Sequence, residues 1–113
     1  DVEQVDSGME EVLEPLGYTI ERVDYQPPLY KAVDDPLIVT LMETYGKFTG
    51  DHESKPLVIG GATYARAVPN TVAFGPVMPG KPDMCHQSDE YVDIEDLITS
   101  TKIFAEALYK LAR

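Results

Sequence analysis

The sequence contains no tryptophan, a single cysteine, and only nine basic residues against twenty acidic ones. Each shortage excludes something. One thiol, Cys85, cannot close an internal disulfide, and such sparing use of cysteine points to a reducing, cytoplasmic setting. A formal net charge of −11 sets up a field that repels phosphate backbones, which removes nucleic acid from the expected partners. No apolar run approaches the roughly 20 residues that cross a bilayer, and no basic start precedes an apolar stretch, so no membrane partner is expected. Several catalytic signatures are missing as well. There is no G-x-S-x-G nucleophile turn, no G-x-G-x-x-G dinucleotide turn, and no C-x-x-C or H-x-x-x-H pair to start a metal site.

What is there suits one small unit. The length, 113 residues, allows a modest core, and 43% hydrophobic with 26% charged residues is ordinary for a globular chain. The chain opens on Asp1 without a methionine, as a cleavage product or a piece of a longer polypeptide would.

Punctuation along the chain predicts the elements. Ser7-Gly8-Met9-Glu10 has the spacing of a capping box and predicts a short helix through Leu13 and Leu16, ended by Gly17. Residues 18–25, Y-T-I-E-R-V-D-Y, alternate and are rich in β-branched and aromatic types, which predicts a strand stopped by Pro27-Pro28. Asp34-Asp35-Pro36 predicts a helix start with proline at its first position. Leu37, Leu41, Tyr45 and Phe48 fall on one face of that helix, and Gly50 closes it. After a polar loop at residues 51–56, Leu57-Val58-Ile59 predicts a buried strand and Val72-Ala73-Phe74 a second, ending at Gly75-Pro76. Residues 76–90 form a long loop, of the kind that often carries function. A last helix starts near Asp93, with Ile94, Leu97, Ile98, Thr101, Phe104, Leu108 and Leu111 as its apolar face. The pattern is α-β-linker-α-β-β-α, with a boundary at residues 27–34.

Two places carry candidate chemistry. Gly60-Gly61-Ala62-Thr63 follows an expected strand. Glycines there let a ligand or another backbone come close, and Arg66 can grip a carboxylate with two parallel hydrogen bonds. A tight strand-to-helix turn with a surface arginine explains the same residues. The second place is Met84-Cys85-His86-Gln87-Ser88-Asp89-Glu90, where an imidazole suited to zinc sits among acidic neighbours. An exposed loop histidine without a ligand explains it equally, and Cys85 reads as a small buried thiol. His52, between Asp51 and Glu53, reads as solvated.

In this order the motifs resemble one family. Residues 60–66 (G-G-A-T-Y-A-R), Pro69-Asn70, residues 73–76 (A-F-G-P), His86-Gln87, Glu90-Tyr91 and the closing A-E-A-L-Y at residues 105–109 look like the C-terminal stretch of M20 metallopeptidases of the PepV dipeptidase type. The resemblance implies an α/β fold. Residues 31–113 would form the C-terminal portion of a zinc-peptidase-like catalytic domain, a mixed sheet with flanking helices. Residues 1–30 would be the last helix and strand of an α+β lid domain. It implies hydrolysis of dipeptides or short peptides at a pair of divalent metal ions, usually zinc, with manganese or cobalt as alternatives. His86 would be one metal ligand and Glu90 a partner behind it. Gly60, Gly61, Ala62, Thr63 and Arg66 would line the substrate, with Ala62 standing where the family usually has a third glycine.

The other ligands and the catalytic base would lie in a missing N-terminal part of the same protein, so the isolated chain should be inactive and prone to self-association. A noncatalytic α/β binding module, and a related amidohydrolase acting on N-acyl amino acids, are the alternatives.

Overall fold

Helix is the one regular structure among the described residues, because helical hydrogen bonds close within a segment while a strand needs a partner. A computed structural model describes residues 2–75 and 77–113. It contains α1 (Val2–Leu13), α2 (Pro36–Thr49) and α3 (Ile94–Leu111), with 3-10 turns at Glu14–Leu16 and Tyr64–Ala67. The expected α/β fold with a mixed sheet and an α+β lid is contradicted, since no strand occurs among the described residues. Residues 18–25, 57–59 and 72–74 are irregular and pair with nothing as ladders. Their strand propensity is a preference for a pleated, half-buried surface, and no such surface is supplied. Leu57 and Val58 are instead 87% and 96% exposed. Pro76 lies outside the described residues.

The helix limits follow local chemistry. Asp35 caps α2, its carboxylate accepting the Leu37 N–H at 2.9 Å, with Pro36 at the first position. Gly50 ends α2 at φ 73° with its N–H on the Gly46 carbonyl, the left-handed conformation that glycine adopts without penalty. Gly17 (φ 83°) closes the 3-10 turn after α1 in the same way. The capping box expected at residues 7–10 is not used as a cap: α1 begins at Val2, and Ser7 and Glu10 lie inside it. The residues before Ser7 include no helix breaker, so the helix extends through them.

The core is the contact between α2 and α3. Ile38, Leu41 and Thr44 of α2 are buried, as are Ser100, Ile103 and Ala107 of α3. The face that α3 buries is rotated from the expected stripe, because small residues at positions 100 and 107 let the helices approach and Ile103 fills the space between. Leu97, Ile98 and Leu108 of that stripe are exposed. Thr44, at 0% exposure, donates its hydroxyl to the Thr40 carbonyl at 2.8 Å and accepts from Lys110 Nζ at 3.2 Å. Glu106 bridges the helices, pairing with Lys47 (2.5 Å) and Lys110 (3.2 Å), and the two ammonium groups hold its carboxyl below the usual range.

Beyond that contact the molecule is open. Its radius of gyration is 18.9 Å, against about 13 Å for a compact domain of this length. The surface, 9383 Å², exceeds the roughly 6,200 Å² of a compact protein of this mass by half. Helix α1 buries no residue at all. No helix among the described residues is long and apolar enough to cross a membrane.

Candidate functional site

The segment leading to the glycines is launched from a stiff corner. Asp51 accepts from the Tyr45 hydroxyl (2.8 Å), the Ser54 hydroxyl (2.5 Å), and the Glu53 and Ser54 N–H groups (3.0 Å each). These donors, Ser54 and Tyr45 foremost, hold its carboxyl far below the usual range. Burial and the neighbouring Asp51 push the Tyr45 phenol up. His52 is exposed but not merely solvated, because its ring lies over Gly46: a Cβ there would meet Nδ1 at 2.6 Å.

From that corner residues 57–63 run as exposed, irregular backbone. A Cβ added at Gly60 or Gly61 would meet nothing within 4 Å, and neither has a left-handed φ. Nothing within the chain itself therefore requires glycine at these positions. Thr63 caps the following 3-10 turn, its hydroxyl accepting from the Ala65 N–H at 3.3 Å. Ala65 is buried, while Arg66 stays exposed and donates through Nη1 to Gln26 Oε1 at 3.2 Å.

The second candidate segment is a chain of turns. The Asp83 carboxylate accepts the Cys85 N–H at 3.0 Å, and the Gln87 N–H reaches the Met84 carbonyl at 3.2 Å. His86 (φ 62°) and Asp89 (φ 59°) both take the left-handed conformation, uncommon outside glycine although Asn, Asp and His adopt it more than others. His86 is exposed on this loop. Cys85, expected to be buried, is exposed, as are its neighbours Asp83, His86 and Gln87. Asp83 above all, through a hydrogen bond and its charge, pushes the thiol up, and Glu90 adds to the shift. The Cys85 N–H foremost holds the Asp83 carboxyl low. Lys81 fastens this loop to the start of α3 through Asp93 (2.5 Å) and Asp96 (3.6 Å), which together raise the ammonium pKa.

No hydrogen bond or ion pair joins the segment at residues 60–66 to the loop at residues 83–90 among the described residues. Nor do the described residues bring together three His, Cys, Asp or Glu side chains that could hold a metal ion. A zinc site needs three or four donors, so the described residues by themselves do not fit a metal pair.

The sequence does not mark Gln26 or Lys31, and it offers Asn70 only as part of a motif. Lys31 Nζ contacts Asn70 Oδ1 and pairs with Asp35 at 3.2 Å. The one sequence signal was Pro69-Asn70, a turn dipeptide whose asparagine is left-handed (φ 57°).

The family model for peptidase family M20/M25/M40 matches residues 3–110. Among curated proteins, "Putative dipeptidase YtjP" of Bacillus subtilis is 45% identical over 86 residues, covering 76% of this chain and 18% of its own length. Proteins with the same description from Staphylococcus saprophyticus and Staphylococcus epidermidis are 40% and 41% identical, over 88% and 85% of this chain and 21% and 20% of theirs. The chain thus spans about a fifth of the length of the curated relatives it matches. No solved structure matches it.

Proposed function

The chain belongs to peptidase family M20/M25/M40, and from that premise we propose that it is one segment of a longer, metal-dependent dipeptidase, the parent polypeptide. The observation that carries this reading is the match over residues 3–110 together with relatives described as dipeptidases over nearly the whole segment. Residues 1–30 would close one domain of the parent, and residues 31–113 would be the C-terminal portion of its catalytic domain. The reaction is hydrolysis of the single peptide bond of a dipeptide, or of a short peptide, giving a free carboxylate and a free amine. The setting is cytoplasmic, as the single thiol suggests.

Two contributions from this chain follow. His86 supplies one ligand to a site of two divalent ions, zinc first and manganese or cobalt as alternatives, completed by donors elsewhere in the parent. Its exposed position supports the role, and Glu90, on the same loop, would sit behind it. The second contribution is substrate contact. At Gly60 and Gly61 the backbone bends without a left-handed φ, and an added Cβ would meet nothing within 4 Å, which supports a surface that a peptide backbone approaches closely. Ala62 and Thr63 would extend it, the Ala62 methyl narrowing the subsite, and Arg66, now bonded to Gln26, would meet a substrate carboxylate once released.

The isolated chain should turn over no dipeptide. The test is an assay of the parent with dipeptides and with N-acyl amino acids, before and after a chelator. Chelator-sensitive dipeptide hydrolysis is the expected result. Cleavage of N-acyl amino acids alone would move the assignment to a deacylase, and activity toward neither would favour a noncatalytic binding role.

A further inference from the structure

Two side-chain hydrogen bonds join the linker after α1 to the stretch after the glycines. Arg66 Nη1 donates to Gln26 Oε1 at 3.2 Å, and five residues further along the linker Lys31 Nζ donates to Asn70 Oδ1. The two pairs are 40 and 39 residues apart in sequence, so the contacts follow the same order along both stretches. Neither stretch has a backbone ladder to hold it, so among the described residues the connection rests on side chains.

Lys31 has the larger share. Its ammonium also pairs with Asp35 Oδ2 at 3.2 Å, while the other oxygen of Asp35 caps the Leu37 N–H at 2.9 Å. The Lys31 and Asp35 side chains are only 21% and 25% exposed. One cation therefore ties together the linker, the N-terminus of α2 and the Pro69-Asn70 turn. The turn follows directly on Tyr64–Ala67, whose Ala65 is buried and whose Arg66 is itself pinned to the linker. A lysine has three donors and a compact charge, which suits several oxygens converging on one point.

We propose that Lys31 is a positioning residue: through Asn70 and Asp35 it fixes the segment at residues 60–70 against the rigid N-terminus of α2. The part concerning substrate rests on the reading above, in which that segment lines the bound peptide; the part concerning position does not.

Two readouts separate these parts. The first is hydrogen–deuterium exchange of the 3-10 turn at Tyr64–Ala67, whose Ala65 and Arg66 N–H groups are bonded to Thr63, read by mass on the 113-residue chain. Lys31→Met keeps the aliphatic stem and removes the ammonium; it should speed exchange there and leave residues 100–107 of α3 unchanged. Asn70→Ala, a change on an exposed turn that does not threaten the helices, should reproduce the effect, and the double variant should add nothing further. The second is dipeptide hydrolysis by the parent. Lys31→Met should raise KM about threefold to tenfold at nearly constant kcat, and Lys31→Arg should restore part of the loss.

Unchanged exchange in both single variants, or full additivity in the double, overturns the positioning role. Altered exchange with unchanged KM retains the pin but removes its link to substrate. A parent inactive on dipeptides defeats the functional reading and leaves the exchange result to decide the positioning role.

Discussion

The helical pair and the exposed stretch at residues 57–63 are both apolar in sequence, yet they end in opposite states. Ile103 of α3 is 3% exposed, whereas Val58 is 96% exposed. The difference lies in where each finds its hydrogen bonds. A helix satisfies its backbone internally and then needs only one neighbour for its apolar stripe. Helices α2 and α3 supply that neighbour to each other, with Thr44 and Ser100 allowing close approach and Glu106 pairing across the contact. Leu57-Val58-Ile59 needs a second segment even to pair its backbone, and the described residues contain none that meets it. An open groove of about 360 Å³ between Leu37, Leu41, Phe74, Phe104 and Leu108 repeats the lesson: even the helical pair covers only part of its apolar surface.

The contrast can be broken in several ways. The largest effect is expected at the helix contact, where Ile103→Ala removes a buried side chain and should cost about 2–5 kcal/mol, read as loss of helical circular dichroism and a lower unfolding midpoint. The capping aspartates come next. Asp35→Ala should destabilise more than Asp93→Ala, because Asp35 caps the Leu37 N–H while Asp93 makes no capping bond from its side chain; thermal melts of the two variants rank them.

Acid should loosen the pair in a defined direction. Asp35, Asp51 and Glu106 are all held below their ordinary values when folded, by the Leu37 N–H, by Ser54 and by Lys47 respectively as the leading causes. Their contribution is complete above the unfolded carboxylate range near pH ~4 and is lost as pH falls through the lowered folded values. Helical signal should hold from neutral pH down to about 5 and decline below about 4. The smallest effect is expected for Val58→Ala in the isolated chain, within about 0.5 kcal/mol. The same substitution should cost more in the parent polypeptide if that surface is covered there, which sharpens the comparison further.

The sequence was most legible where structure is local. Pro36 and Gly50 bracket α2 as expected, and the last helix begins directly after Asp93. The buried face of α3 was misjudged because hydropathy favours Leu97 and Leu108, whereas close helix packing selected Ser100, Ile103 and Ala107. The strands were misread for the reason already given: alternation shows that a segment suits a sheet, and it does not supply one.

The site was legible as motifs rather than as geometry. His86 and the Gly60-Gly61 pair stand out in sequence, and both are exposed in loops where the chemistry expected of them is incomplete. The Lys31–Asn70 contact was invisible, since nothing in the sequence marks two residues 39 positions apart as partners. Cys85 was misplaced because cysteine is usually buried, and here it is exposed with its loop neighbours.

The role of His86 as a metal ligand in a dipeptidase site is the step on which the proposed function turns. Its most direct test is the metal content of the purified parent polypeptide, with and without His86→Ala, alongside dipeptide hydrolysis. Two bound divalent ions per polypeptide are expected before the substitution, with a clear loss of metal after it and hydrolysis falling with the metal. Unchanged metal content with unchanged hydrolysis would contradict that role and leave His86 as an exposed loop residue.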